Sequence, residues 1–147
     1  GTIWLILCAM VFGGIMDAIG ALAKISSFML QLFDSVFGLF ASTVFTCIGL
    51  NFTASDQYLA IVVPGKMYSK AFKEKGLAPE NLSRTLEDSG TVTSVLIPWN
   101  TCGAYHSGVL GVSVGEYFVY AIFNWLSPFT TLLFAAFRIK IRQLASK

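Results

Sequence analysis

Residues 117–137 read YFVYAIFNWLSPFTTLLFAAF and carry no charged side chain. A helix needs roughly 20 apolar residues to cross the hydrocarbon core of a bilayer, which is about 30 Å thick. Three further windows, at residues 1–16, 35–55 and 91–115, are also free of charge and approach this length. The sequence therefore predicts an all-α membrane protein built from transmembrane helices.

The composition of the 147-residue chain supports this class. Hydrophobic residues make up 55% of the chain and charged residues 12%, whereas soluble domains contain about 25% charged residues. The formal net charge of +2 is too small for a nucleic-acid-binding surface. The expected environment is therefore a lipid bilayer, and no nucleic-acid partner is expected. Three scattered cysteines and a single histidine form neither a zinc-binding motif nor a disulfide framework.

The basic residues predict the orientation of the chain. The tail at residues 138–147 begins with a basic cluster, which by the positive-inside rule places the C-terminus in the cytoplasm. The charged loop at residues 66–90 is expected on the same side, so residues 91–115 and 117–137 would cross the membrane out and back. Residues 1–23 are expected to form another transmembrane helix that enters from upstream sequence, because they lack the features of a signal peptide.

Residues 28–68 allow two topologies. In the first, residues 28–50 cross the membrane and a half-helix follows. In the second, they form a re-entrant hairpin with its tip at residues 49–55. The second arm, residues 56–68, has too few uncharged residues to cross alone. The hairpin also keeps Lys24 on the cytoplasmic side with the other basic residues, and it is therefore the favoured prediction.

Two polar interruptions fall within the apolar runs. Residues 98–103, PWNTCG, combine a helix breaker, a flexible glycine and side chains that bond their own backbone, so an interrupted helix is expected there. Asn51 and Thr53 at the hairpin tip offer the same chemistry as Asn100 and Thr101 in the second interruption. Broken helices coordinate Na⁺ in transporters, and hard cations favour oxygen ligands. The two interruptions are predicted to meet around a small cation, although either one alone could be a kinked helix packed inside the protein.

Carboxylates near the apolar runs are candidates for ion coupling. A carboxylate at the centre of a membrane helix costs roughly 2.5 to 3.5 kcal/mol, a cost that usually marks function. Asp56 is the first candidate because it opens the second arm beside Asn51 and Thr53, where it could hold Na⁺ or a proton but not easily both. Asp17 is the second candidate. The alternative interpretation is that its carboxylate is hydrogen-bonded to a neighbouring helix or extends to the membrane–water interface.

His106 follows Cys102 by four residues, which on a helix places both on one face. One histidine and one cysteine do not make a metal site, so a hydrogen-bonding histidine is favoured over a proton relay. An intramembrane enzyme with Cys102 as nucleophile and His106 as base is an alternative from another function class. It lacks a third group to orient the base, so we expect neither enzyme activity nor a cofactor.

Two longer runs resemble a known family. Residues 53–68, TASDQYLAIVVPGKMY, and residues 96–105, LIPWNTCGAY, look like the C-terminal half of NhaC-type Na⁺/H⁺ antiporters, and residues 81–91, NLSRTLEDSGT, resemble the connecting segment of that family. The resemblance implies a multi-pass secondary transporter of the bacterial inner membrane, built from two inverted repeats that each contain a hairpin and an interrupted helix. This chain would be one repeat, and its partner repeat would lie in missing N-terminal sequence.

The resemblance also implies Na⁺ and H⁺ as transported ions rather than bound cofactors. The positions that match the motifs of the family are Asn51, Thr53, Asp56, Gln57, Asn100, Thr101 and Cys102. Na⁺/H⁺ exchange is the leading prediction, and the Na⁺-lactate/malate-H⁺ exchangers of the same family are not separated from it by these motifs. A homodimer is left open. The alternative is a structural helical module with no transport activity of its own, and the isolated fragment is expected to be inactive.

Overall fold

The computed structural model describes residues 35–54 and 56–144 continuously, together with positions 3–4, 7–8, 11, 14–15, 18–21, 24, 27–28 and 31. About half of the positions of the predicted transmembrane helix over residues 1–23 therefore lie outside the described residues, and Asp17 is one of them.

The continuously described part is helical, as the all-α prediction requires. Its elements are α1 (Val36–Thr53), α2 (Gln57–Glu74), α3 (Pro79–Leu86), a π-helical turn (Glu87–Thr91), a 3₁₀ turn (Ser94–Leu96), α4 (Thr101–Leu110), α5 (Val114–Phe118) and α6 (Ile122–Ala136). Within the described ranges the one β-pairing is an isolated bridge between Leu77 and Gln143.

Helix α1 lies at the centre of the fold. It begins where the hydroxyl of Ser35 accepts a hydrogen bond from the Gly38 N–H, and 61% of its residues are buried against other parts of the structure. It packs against α2, α3, α6 and the π-helical turn. Among the described residues α1 is the one helix long and apolar enough to cross a membrane, whereas α6 is apolar but shorter.

Helices α1 and α2 form an antiparallel hairpin. The rings of Phe40 and Phe72 pack edge to face with centroids 5.1 Å apart, and the hydroxyls of Thr46 and Tyr68 lie 2.7 Å apart near the middle of the pair. Helix α2 continues to Glu74, beyond the predicted end of the second arm at residue 68. The extension is stabilised because Tyr68 and Phe72, one turn apart, are both buried against α1.

The two basic segments of the chain lie at the same end of the molecule, opposite the connection between α1 and α2. The Leu144 N–H donates to the Gly76 carbonyl at 2.8 Å, and the Ala78 N–H donates to the Arg142 carbonyl at 3.0 Å. The Asn81 amide also donates to the Arg142 carbonyl at 2.6 Å. The charged segment after α2 and the tail after α6 are thus held together at one end of the structure.

The interrupted helix departs from α-helical geometry earlier than predicted. The prediction placed the interruption at residues 98–103, but the π-helical turn begins at Glu87 and closes with a 3.2 Å bond from the Val92 N–H to the Glu87 carbonyl. Hydroxyl side chains in this segment bond nearby carbonyls, as when Ser94 donates to Thr91 at 2.7 Å, and such bonds compete with the helical ladder. The chain becomes extended at Ile97, and Asn100 then caps α4.

Side chains from α5 and α6 bind the irregular segment. The Tyr117 hydroxyl donates to the Val95 carbonyl at 2.6 Å, and the Asn124 amide donates to the Val92 carbonyl at 2.8 Å. Two turns further along α6, on the same face as Asn124, the Thr131 hydroxyl donates to the carboxylate of Asp88 at 2.7 Å. Helix α6 therefore presents a polar face to the segment, although its sequence is mostly apolar.

The predicted helix over residues 117–137 is divided in the structure. Helix α5 ends at Phe118, and α6 begins at Ile122 after a short turn. A capping box starts α5, because Ser113 and Glu116 bond each other's backbone N–H groups. Hydrogen bonds from the Ser113 backbone N–H and then from its side chain lower the pKa of the exposed Glu116 carboxyl. The bond between Tyr117 and Val95 then holds α5 against the irregular segment, so the chain must turn before α6 can begin.

Gly103 permits the close approach of α4 to the residues that precede it. A Cβ atom at this position would lie 2.1 Å from the carbonyl oxygen of Ile97 and 3.4 Å from that of Val95. The first contact is with backbone, which cannot move aside as the end of a flexible side chain could.

We expect Gly103→Ala to reduce the free energy of unfolding by about 2 kcal/mol or more, because the backbone at Ile97 would have to shift. Thermal unfolding of the purified protein in detergent measures the effect. The matched control is Gly115→Ala, since a Cβ there meets no atom within 4 Å and alanine in a helix is favoured over glycine. Equal melting temperatures for Gly103→Ala and the wild type would contradict the prediction.

Candidate functional site

The two interruptions predicted to meet do meet, through Asn51 and Asn100. Asn51 lies in the last turn of α1 and Asn100 is the N-cap of α4. The Asn100 amide donates to the backbone carbonyl of Asn51 at 3.0 Å and to its side-chain oxygen at 3.3 Å. Both residues are completely buried, so the contact joins two polar groups inside an apolar protein although 49 positions separate them in the sequence.

Asn51 also joins α1 to the π-helical turn and the residues after it. Its Nδ2 donates to the Gly90 carbonyl at 2.6 Å and to the Thr93 hydroxyl at 3.1 Å. The Thr93 hydroxyl itself donates to the Ser89 carbonyl. A buried amide whose hydrogens are both used is held in one orientation, with its oxygen directed away from these partners.

Gln57 brings the start of α2 into the same region. The Cys102 thiol lies 2.6 Å from the Gln57 side-chain oxygen and donates to it, and the Ser94 hydroxyl lies 3.3 Å from the same oxygen. Cys102 in turn belongs to the first turn of α4, where its N–H donates to the Asn100 side-chain oxygen at 3.1 Å. The Thr101 hydroxyl reaches this same oxygen at 3.5 Å. Five of the predicted site residues therefore form one network: Asn51, Gln57, Asn100, Thr101 and Cys102.

Thr53 and Asp56 lie at the edge of this network. The Thr53 hydroxyl donates to the Gly49 carbonyl of its own helix at 2.7 Å. The Asp56 carboxylate accepts the Tyr58 N–H at 2.7 Å and thereby caps α2. Among the described residues, neither side chain has a hydrogen bond to Asn51 or Asn100. Asp56 is nevertheless adjacent in sequence to Gln57, which does belong to the network.

His106 is directed to the backbone rather than to a thiol. Its Nδ1 lies 2.8 Å from the Cys102 carbonyl oxygen, and the residue is exposed. Since the Cys102 thiol is bonded to Gln57, the structure does not pair the two as nucleophile and base. The geometry agrees with a hydrogen-bonding histidine.

The network is rich in neutral oxygens. The described residues contain no cluster of three or more His, Cys, Asp or Glu side chains, so a cation here would meet amide, hydroxyl and backbone oxygens, the ligands that hard cations prefer. The C-terminal end of α1, where carbonyl groups concentrate partial negative charge, faces the region. The buried hydroxyl of Thr91, in the adjoining π-helical turn, has no hydrogen-bond partner in the described part of the chain.

Several residues that build the site were not predicted from the sequence. Thr93 and Ser94 belong to residues 89–94, which are serine, threonine or glycine at every position except Val92, a composition that already disfavours a regular helix. Asn124 and Thr131 are seven positions apart on α6, a helical spacing that marks one polar face within an apolar run. Trp99 contacts the end of α1, where its indole N–H donates to the Phe52 carbonyl at 2.8 Å.

The Na⁺/H⁺ antiporter family matches residues 1–139 of the chain. The chain is 38% identical to the Na⁺/H⁺ antiporter NhaC of Alkalihalophilus pseudofirmus over 99% of its length, and the match covers 32% of that protein. It is 37% identical to the arginine/ornithine antiporter ArcD of Halobacterium salinarum over 90% of its length, with 28% of that protein covered. It is also similar to the malate-2H⁺/Na⁺-lactate antiporter of Bacillus subtilis, at 32% identity over 79% of the chain and 24% of that protein.

The chain thus spans about a third, or less, of the length of these relatives. No solved structure gives a significant match. The family match runs through α1, α2 and both interruptions, and it confirms the resemblance found in the sequence. The chain belongs to the Na⁺/H⁺ antiporter family and is accordingly a membrane-protein chain.

Proposed function

We propose that the complete protein exchanges Na⁺ for H⁺ across the bacterial inner membrane, and that Na⁺ binds between the end of α1 and the start of α4. The observation that supports this most is the buried contact between Asn51 and Asn100. A relative that shares 38% of the residues is a Na⁺/H⁺ antiporter. Because the chain covers 32% of that relative, the exchange is proposed for the complete protein and not for this chain alone.

The proposed Na⁺ ligands are oxygens of the network and its edge. The side-chain oxygens of Asn51 and Asn100 and the hydroxyl of Thr101 are joined by hydrogen bonds, and Cys102 links the Gln57 oxygen to that of Asn100. Thr53, two residues after Asn51, adds a hydroxyl at the edge of the network. Cys102 acts by holding Gln57 in place. Broken helices that offer carbonyl oxygens to Na⁺ are a recurrent device of secondary transporters.

Asp56 is the proposed coupling residue. Its carboxylate caps α2 by accepting the Tyr58 N–H, so its negative charge lies at the positive end of a helix and one residue before Gln57. A carboxylate beside neutral oxygens can balance either a bound Na⁺ or a bound proton, but it gains little from both. Competition for this group would make release of one ion depend on binding of the other.

We further propose that α1 and α2 form a re-entrant hairpin and that the C-terminus is cytoplasmic. The connection between α1 and α2 lies at one end of the structure, and the basic segments lie at the other. The positive-inside rule favours this separation for a hairpin whose two ends are both on the cytoplasmic side. A second, inverted repeat from the rest of the protein would complete the ion pathway, and a homodimer is an assembly that this arrangement leaves open.

Organic-acid exchange is the second candidate function. It is favoured by the 32% identity to a malate-2H⁺/Na⁺-lactate antiporter. Uptake of radiolabelled malate or lactate into proteoliposomes that contain the complete protein would identify it, whereas proton movement driven by Na⁺ alone would identify ion exchange.

A cysteine at position 24 tests the hairpin. In a background with Cys8, Cys47 and Cys102 replaced by serine, we expect Lys24→Cys to react with a membrane-impermeant maleimide only from the cytoplasmic side, because the hairpin returns the chain to the side from which it entered. Arg138→Cys serves as the reference for the cytoplasmic side. Labelling of position 24 from the opposite side would establish the simple crossing instead.

We expect Asp56→Asn to abolish Na⁺-dependent proton movement in proteoliposomes of the complete protein, because the amide keeps an oxygen for helix capping but can no longer exchange a proton. A fluorescent pH indicator inside the vesicles measures the movement. The control is Glu87→Gln, which neutralises an exposed carboxylate and should leave exchange intact. Exchange by Asp56→Asn at the wild-type rate would remove Asp56 from the coupling site.

We expect Asn100→Ser to raise the apparent KM for Na⁺ by about tenfold or more, because serine can still cap α4 but no longer reaches Asn51. The KM is taken from the Na⁺ dependence of proton movement. Thr101→Ser keeps the neighbouring hydroxyl and should leave the KM unchanged. An unaltered KM in Asn100→Ser would show that Na⁺ binds elsewhere.

A further inference from the structure

The last carbonyl groups of α1 accept hydrogen bonds from the other interruption rather than from α1 itself. The Asn51 carbonyl accepts the Asn100 amide at 3.0 Å, and the Phe52 carbonyl accepts the Trp99 indole N–H at 2.8 Å. The final carbonyls of any helix lack partners within the helix. Two consecutive residues of one interruption thus satisfy two consecutive carbonyls of the other.

Trp99 and Phe52 also pack ring to ring. Their centroids lie 4.6 Å apart at an interplanar angle of 82°, an edge-to-face arrangement. Both rings line an apolar cleft of about 390 Å³ between α1, the interruption and α6, and Trp99 is 43% exposed while Phe52 is 55% exposed. The pair therefore lies beside the buried Asn51 and Asn100, on the wall of a cleft and outside the hydrophobic core.

The two donors differ in what else they can offer an ion. The Asn100 side chain has an oxygen as well as an N–H group, so it can turn from a hydrogen-bond donor into a cation ligand. The indole of Trp99 has an N–H group and no acceptor. While that N–H points at the Phe52 carbonyl, its partly positive hydrogen occupies the place at which a cation would otherwise contact the carbonyl oxygen. The indole hydrogen and the cation would repel each other there.

We propose that Trp99 is a positioning residue that weakens Na⁺ binding by competing with the ion for the Phe52 carbonyl. This inference rests on the proposed function. Na⁺ gains the carbonyl only when the indole N–H leaves it, so the bond between Trp99 and Phe52 opposes binding and favours release. An exchanger benefits from such a competitor because an ion that binds too tightly cannot leave on the other side.

The test is Trp99→Phe in the complete protein, reconstituted in proteoliposomes. Phenylalanine keeps the aromatic contact with Phe52 and removes only the N–H group. The apparent KM for Na⁺ is expected to fall by about fivefold, the size of one net hydrogen bond, while the maximal rate stays within about twofold or decreases. The matched control is Trp125→Phe, which alters a tryptophan of the same cleft that is 38% exposed and should leave the KM unchanged.

Direct binding provides a second readout. At a Na⁺ concentration below saturation, added Na⁺ should raise the melting temperature of Trp99→Phe more than that of the wild type, because stabilisation by a ligand grows with affinity. K⁺ at the same concentration controls for ionic strength. A role in folding alone would lower the melting temperature without Na⁺ and reduce the maximal rate, but it would not lower the KM.

The outcomes separate the two proposals. If the wild type shows Na⁺-dependent proton movement but Trp99→Phe has an unchanged or higher KM, the role of Trp99 is overturned and the proposed function stands. If the wild type shows neither proton movement nor a Na⁺-specific rise in melting temperature, the proposed function is overturned and the role of Trp99 falls with it.

Discussion

The irregular backbone between α3 and α4 must find hydrogen-bond partners without a continuous α-helical ladder, and this requirement organises the rest of the structure. In an apolar surrounding an unpaired carbonyl or N–H group costs several kcal/mol. The partners come from three other helices: Asn51 of α1 bonds Gly90, Asn124 of α6 bonds Val92, and Tyr117 of α5 bonds Val95. The interruption is thus the point at which the helices are joined, and its conformation is determined by all of them together.

This arrangement has a chemical consequence. The donors that satisfy the interruption are neutral, and the oxygens left around them belong to amides, hydroxyls and backbone. Such a site can hold a cation of low charge without the strong binding that a cluster of carboxylates would cause. The carboxylate proposed to couple the two ions, Asp56, caps the start of α2 and has no hydrogen bond to Asn51 or Asn100 in the described part of the chain. One charge beside many neutral oxygens suits an ion that must bind and leave in each cycle.

Particular residues show how far the sequence could be interpreted before the structure was known. The charge-free windows predicted the helical membrane class, and PWNTCG predicted an interruption at Asn100, because proline, glycine and asparagine disfavour helices locally. Asn51 and Asn100 each lie close to a threonine in a polar interruption, and this similarity predicted that the two interruptions meet. In the structure they are joined by a hydrogen bond between these two residues. The early start of the irregular segment at Glu87 was missed, since Gly90 alone does not end a helix and the hydroxyl-to-carbonyl bonds of the segment are individually weak signals. The split between α5 and α6 was missed for a related reason, because it depends on the bond from Tyr117 to a distant carbonyl.

The sequence by itself determined the class of the protein, its family and the identity of the two polar interruptions, because these depend on composition and on residues close together in the chain. Only the tertiary structure decided which groups bond across the interruptions: Asn100 with Asn51, Cys102 with Gln57, and Trp99 with Phe52. These pairs are separated by more than 40 positions, and each forms because the segment between α3 and α4 packs against both α1 and α2, which brings residues 99–102 to the connection between those two helices. Local preference cannot specify such contacts, since a polar side chain takes whichever buried partner the packing of the helices brings within reach.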